Sequence, residues 1–83
     1  MKKINAAGLR CPEPLMIVRR ELRNISPGEA IAITADDPST RRDFELLCCN
    51  LGYIMEEHKT ETAENRTLYY FVIRKPRQSS ETA

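Results

Sequence analysis

Glu29-Ala30-Ile31-Ala32-Ile33-Thr34-Ala35 runs without a break into Asp36-Asp37-Pro38-Ser39. The first part is a short, mostly apolar run with the character of a buried strand. The second part is a helix start. Asp37 suits the N-cap, because its carboxylate can accept an orphan helix N–H, and Pro38 suits the first helical position. Downstream, Phe44, Leu47, Cys48 and Leu51 recur at i, i+3, i+4 and i+7, which makes one apolar stripe, and Gly52 closes the helix. Upstream, Ser26-Pro27-Gly28 is a break. Before it, Leu15, Val18, Leu22 and Ile25 form the stripe of a helix over residues 14–25.

The flanks complete the pattern. Residues 2–6 form a short opening strand, and residues 53–59 form a third strand. Thr60 to Arg66 is a polar loop. Leu68 to Arg74 is rich in aromatic and β-branched residues and reads as a strand. The order is β-α-β-α-β-β. Two helices with one apolar stripe each cover one face of a four-stranded sheet, giving a two-layer α/β sandwich. The last two strands are closely spaced and should pair antiparallel, whereas the β-α-β portions favour parallel pairing, so the sheet is mixed. Residues 1–75 make a single domain, and residues 76–83 a polar tail expected to be disordered.

Size and composition narrow the function. A chain of 83 residues builds a modest core and presents a site on its surface more readily than it encloses a large substrate. The net charge of +1 names no partner. The basic residues are nevertheless unevenly placed. Residues 1–42 carry eight Lys/Arg against five acids, and residues 43–83 carry five against seven. Arg10, Arg19, Arg20, Arg23, Arg41 and Arg42 lie on or near the two helices, as a docking face or as an ordinary solvated surface. No signal peptide and no transmembrane run is visible, so the expected location is the cytoplasm, with the three cysteines reduced.

Chemistry concentrates at Cys11-Pro12-Glu13-Pro14. The prolines stiffen the segment and hold the thiol at the mouth of the first helix. Helix N-termini offer unpaired N–H groups and partial positive charge, an environment that lowers a thiol's pKa. With two amides removed by proline, Glu13, Leu15 and Met16 are left to face an anion, with Arg10 alongside. Gly8 marks a turn just before. Met16 and Ile17 point away from the core stripe, one turn from Cys11, and with Arg19 suggest a protein-docking patch. Asp36 belongs to a loop expected at the same end of the sheet as Cys11, where loops of α/β sheets commonly combine into a site.

Other chemistries find less support. Cys48 falls on the buried stripe and Cys49 points outward; adjacent helix positions diverge by about 100° and do not form a disulfide together. The spacing of Cys11, Cys48, Cys49 and His58 matches no zinc signature, so no metal is expected. No histidine is placed to serve as base for a Cys-His hydrolase. The three glycines are dispersed and make no phosphate loop.

Gly8-Leu9-Arg10-Cys11-Pro12-Glu13-Pro14, Val18-Arg19, Pro27-Gly28-Glu29, Ala35-Asp36-Asp37-Pro38, Thr40, Arg42-Asp43 and Ile73-Arg74-Lys75 resemble the TusA (SirA-like) family of small sulfur carriers. The resemblance spans about residues 4–75 and implies the same β-α-β-α-β-β sandwich. It further implies that Cys11 accepts sulfane sulfur from a cysteine desulfurase, holds it as a covalent persulfide without any other cofactor, and hands it to a downstream acceptor protein. Such a protein is a sulfurtransferase or carrier, not a stand-alone enzyme, and the expected pathway is 2-thiolation of the tRNA wobble uridine. Arg10, Pro12, Glu13 and Pro14 would support the site, and Met16, Ile17, Arg19 and Asp36 would dock partners. The second helix, Asp43-Phe44-Glu45-Leu46-Leu47-Cys48-Cys49, departs from tRNA-thiolation members, which carry a proline and one cysteine there. The alternative is a nucleic-acid-binding or regulatory module of SirA-like type. Direct nucleic-acid binding is not expected, because Tyr69, Tyr70 and Phe71 sit in a strand that buries at least some of them. The isolated chain is expected to be a monomer.

Overall fold

β2 (Ala30–Ala35) is the strand around which the sheet is assembled. It pairs in parallel with β1 (Lys2–Asn5) and antiparallel with β4 (Arg66–Arg74), which in turn pairs antiparallel with β3 (Ile54–Ala63). The four-stranded order is therefore β1-β2-β4-β3. Helices α1 (Glu13–Asn24) and α2 (Thr40–Leu51) make the second layer, so the fold is the mixed two-layer α/β sandwich expected from the sequence. The structure is a computed structural model and describes residues 1–77. The expectation for the end of the polar tail, residues 78–83, falls outside the described residues.

The core forms where the two stripes meet the sheet. Val18 and Leu22 of α1 and Phe44, Leu47 and Cys48 of α2 are buried against Ile31 and Ile33 of β2 and Phe71 and Ile73 of β4. Phe44 meets Phe71 edge to face, with ring centroids 4.8 Å apart and planes at 79°. Leu15 and Ile25 are only half-buried at the ends of the α1 stripe. Leu51, expected on the α2 stripe, is instead 44% exposed at the last residue of its helix.

Two expectations are corrected. The polar loop Thr60–Arg66 is mostly strand: β3 continues to Ala63, and the chain reverses through Glu64-Asn65, with Glu64 at φ +52°. This arm reaches past the helices, so it carries no apolar face to mark it in the sequence. Its ladder pairs backbone to backbone, with the Lys59 ammonium 5.9 Å from the Tyr70 ring centre and the Tyr70 hydroxyl donating to Glu61 at 3.4 Å. Second, α2 begins at Thr40, after Ser39, and Pro38 lies outside the helix. Asp37 closes its own turn first, accepting hydrogen bonds from the Ser39 N–H and hydroxyl at 3.1 Å each. Its carbonyl then receives the Thr40 N–H at 3.0 Å and the Thr40 hydroxyl at 2.7 Å.

The opposite end of the molecule is tied by the chain's last described residues. Gly28, at φ +92°, donates its N–H to the Lys75 carbonyl, and Lys75 returns its N–H to Glu29, both at 2.8 Å. The Lys75 ammonium caps α1 by donating to the Ile25 carbonyl at 3.0 Å. Arg77 packs over Gly28.

Candidate functional site

Three segments converge at the end of the sheet beyond the C-termini of β1 and β2: the loop Ala6–Pro12, the loop Asp36–Ser39, and the first turn of α2. The expectation that the Asp36 loop and the Cys11 turn share one end is met by direct bonds. Asp36 accepts the Gly8 N–H at 3.0 Å and the Arg10 guanidinium at 3.2 Å, and the Arg66 guanidinium from the hairpin stands 4.0 Å away. Asp37, only 8% exposed, accepts the Cys11 N–H at 2.9 Å. One aspartate thus fixes the approach to Cys11, and the next fixes Cys11 itself. The ring of N–H and guanidinium donors holds both carboxyls below the usual carboxylate range. The Gly8 N–H is the main cause for Asp36, and the Cys11 N–H, then that of Ser39, for Asp37.

Cys11 is exposed. It lies immediately before α1, and its peptide bond to Pro12 is cis. Pro12 is exposed, Glu13 is the exposed acid of the first helical turn, and Pro14 is buried. Met16 is 62% exposed, Arg19 is exposed, and Ile17 is half-buried. Arg19 and Leu15 line a groove of about 370 Å³ between the helices, together with Asp43, Leu46, Leu47, Asn50 and Leu51.

The electrostatics of the thiol reverse the sequence reading. The Glu13 N–H donates to the Arg10 carbonyl at 2.9 Å and the Met16 N–H to the Pro12 carbonyl at 3.0 Å, so two of the three amides expected to face an anion are already engaged. Arg10 turns to Asp36 and to the Leu9 carbonyl. An acid to which the sequence reading gave no role, Asp43 in the first turn of α2 and half-buried, acts on the thiol through side-chain hydrogen bonding. That contact is the main reason the Cys11 pKa is raised, not lowered; partial desolvation and the Asp37 charge add to it, and the Ser39 hydroxyl opposes it. A signal was available: once the Asp36-Asp37 loop is placed beside Cys11, an acid one turn into the following helix faces the same point.

The remaining thiols lie elsewhere. Cys48 is buried in α2, and burial, followed by the Glu45 charge, pushes its thiol up to about 11. Cys49 is exposed on the same helix, and His58 is exposed on β3. Among the described residues no three His, Cys, Asp or Glu side chains gather where they could hold a metal ion, and no helix is long and apolar enough to cross a membrane.

The crystal structure of a SirA-like protein from Desulfitobacterium hafniense shares this fold. It matches with a TM-score of 0.69 at 18% identity, over 90% of this chain and 99% of that one. The family model for sulfurtransferase TusA matches residues 2–75, which takes in all six strands and helices and the loop that carries Cys11. This chain belongs to the TusA sulfurtransferase family.

Proposed function

We propose that the protein carries sulfur as a persulfide on Cys11, accepting it from a cysteine desulfurase and passing it to an acceptor protein in the relay that 2-thiolates the tRNA wobble uridine. The observation that carries this reading is the presentation of Cys11: an exposed thiol whose backbone is pinned by Asp37 while its sulfur stands open to a partner. A carrier must be loaded and unloaded by different proteins, and both steps are nucleophilic displacements at sulfur that depend on access and thiolate fraction. Met16, which is exposed, and Arg19, on the rim of the groove, lie within two turns of Cys11 and would contact those partners; Arg10 and Asp36 shape the loop they meet.

The pathway is tested by complementation. The gene is expressed in a bacterial strain lacking its own tRNA-thiolation carrier, and 2-thiouridine is measured in its tRNA. Restored thiolation with wild type and none with Cys11→Ser supports the reading. No restoration, with persulfide still formed on Cys11, would assign the carrier to another sulfur acceptor.

A further inference from the structure

We propose that the open face of the sheet, next to the loop that carries Cys11, is a docking trough for an extended acidic segment of a partner protein. The proposal goes beyond the sulfur reading and does not depend on it.

The trough follows from the alternation of β2. Its inward side chains Ile31 and Ile33 are large and buried in the core, whereas its outward ones, Ala32 and Thr34, are small. The register sets Lys3 and Asn5 of β1 beside them on one flank, and Val72 and Tyr70 of β4 on the other. A strand of short side chains therefore runs between two strands of longer ones. β2 has six residues, and at about 3.3 Å each the trough is about 20 Å long, the span of about six extended residues. At the C-terminal end of β2 it opens into a cavity of about 410 Å³, whose lining includes Lys3, Asn5, Ala7, Thr34, Arg66 and Leu68. Ala7 belongs to the loop that carries Cys11, and Asp36 joins Arg66 to Arg10. A segment seated here is held at the Cys11 end of the sheet and leaves Met16 and Arg19 of the helix layer uncovered.

Charge selects the occupant. Lys3 and Arg66 line the cavity and no acid does. Lys3 is exposed and has no ion-pair partner among the described residues. Arg66 is exposed too, and it meets Asp36 only at 4.0 Å, an aspartate already bonded to the Gly8 N–H and the Arg10 guanidinium. The acids of this face, Glu57 and Glu61, stand on β3, with β4 between them and the cavity. Two cations above a floor of Asn5, Thr34 and Leu68 suit carboxylates carried on an extended backbone. A single-stranded RNA fits less well. Among the described residues Tyr70 is the one aromatic ring that the strands place on this face. Lys59 stands 5.9 Å from its ring centre and Glu61 takes its hydroxyl at 3.4 Å, so the ring is engaged within the protein and is not offered to a base.

The test is an NMR titration of the isotope-labelled full chain with a blocked peptide of alternating glutamate and serine. Saturable amide shifts are expected in β1, the end of β2 and the start of β4, and salt should weaken them. Lys3→Gln should weaken binding by up to about fivefold, the worth of one exposed charge contact. Lys3→Glu combined with Arg66→Glu should abolish it, with the melting temperature as the check on folding; should that pair fail to fold, Lys3→Gln decides. Equal binding of the peptide with glutamine in place of glutamate would overturn the charge argument. Shifts confined to the groove between the helices, or no shifts, would overturn the site. A stronger response of the same face to an oligouridylate would overturn the choice of a peptide. The titration uses no sulfur donor, so its failure is distinct from failure of the persulfide reading.

Discussion

Replacing Asp37 with alanine should weaken the fold and loosen the Cys11 loop together. The side chain accepts hydrogen bonds from the Cys11 N–H at 2.9 Å, and from the Ser39 N–H and hydroxyl at 3.1 Å each. Hydrogen bonds to a charged acceptor contribute about 1.5–3 kcal/mol each when their loss strands a buried donor. Cys11 and Ser39 are themselves exposed, so water can replace much of what they lose. The expected net cost is therefore about 2 kcal/mol, the worth of about one such bond. For a domain of this size each kcal/mol moves the melting temperature by about 4–8 °C, which places the Asp37→Ala variant about 8–16 °C below wild type. The effect also carries a pH signature. The folded-state pKa of Asp37 lies below its unfolded value, so its contribution is present above the unfolded carboxylate pKa of about 3.9 and is lost as pH falls through the folded value. Urea titrations at pH 7 and below pH 4 should show a gap between wild type and variant that narrows in acid. A melting temperature within about 2 °C of wild type at pH 7, set against the scale above, would refute the anchoring role.

Phe44→Ala removes a fully buried ring from the edge-to-face pair with Phe71 and should cost about 3–5 kcal/mol, a large share of the about 4–12 kcal/mol available to a chain this long. Denaturant unfolding reads it directly, and a loss under about 1 kcal/mol would place that ring outside the core. Cys48, buried and pushed up to about 11, should resist iodoacetamide in the native protein at pH 8 while Cys49 reacts, and should become reactive in denaturant. Site-resolved mass spectrometry checks this, and equal native reactivity of the two would contradict the packing of α2.

The periodic segments were legible because their burial is local in origin. The stripe Leu15-Val18-Leu22 and the run Ile31–Ala35 say which side faces inward before any partner is known, and Val18, Leu22, Ile31 and Ile33 are indeed buried. The outer half of the hairpin was not legible, because Thr60 to Ala63 buries no side chain and is held as strand by pairing with Arg66 to Tyr69. Asp37 reads in the sequence as a helix cap, which is a local role. Its bond to Cys11 spans 26 positions and exists only once β1 and β2 lie side by side. The same distance hid the direction in which the thiol's pKa moves. A helix N-terminus taken alone lowers a thiol's pKa, but here the neighbouring helix contributes Asp43, and α1 spends its first amides on Arg10 and Pro12.

The central claim is that Cys11 carries the sulfur, and intact-protein mass tests it most directly. Wild type and Cys11→Ser are each incubated with a cysteine desulfurase, its coenzyme and cysteine, then weighed before and after treatment with reductant. The account predicts a gain of one sulfur atom's mass on wild type, removed by reductant, and no gain on Cys11→Ser. An equal gain on both proteins would place the sulfur on Cys49 or Cys48, and no gain on either across several desulfurases would contradict the carrier function itself.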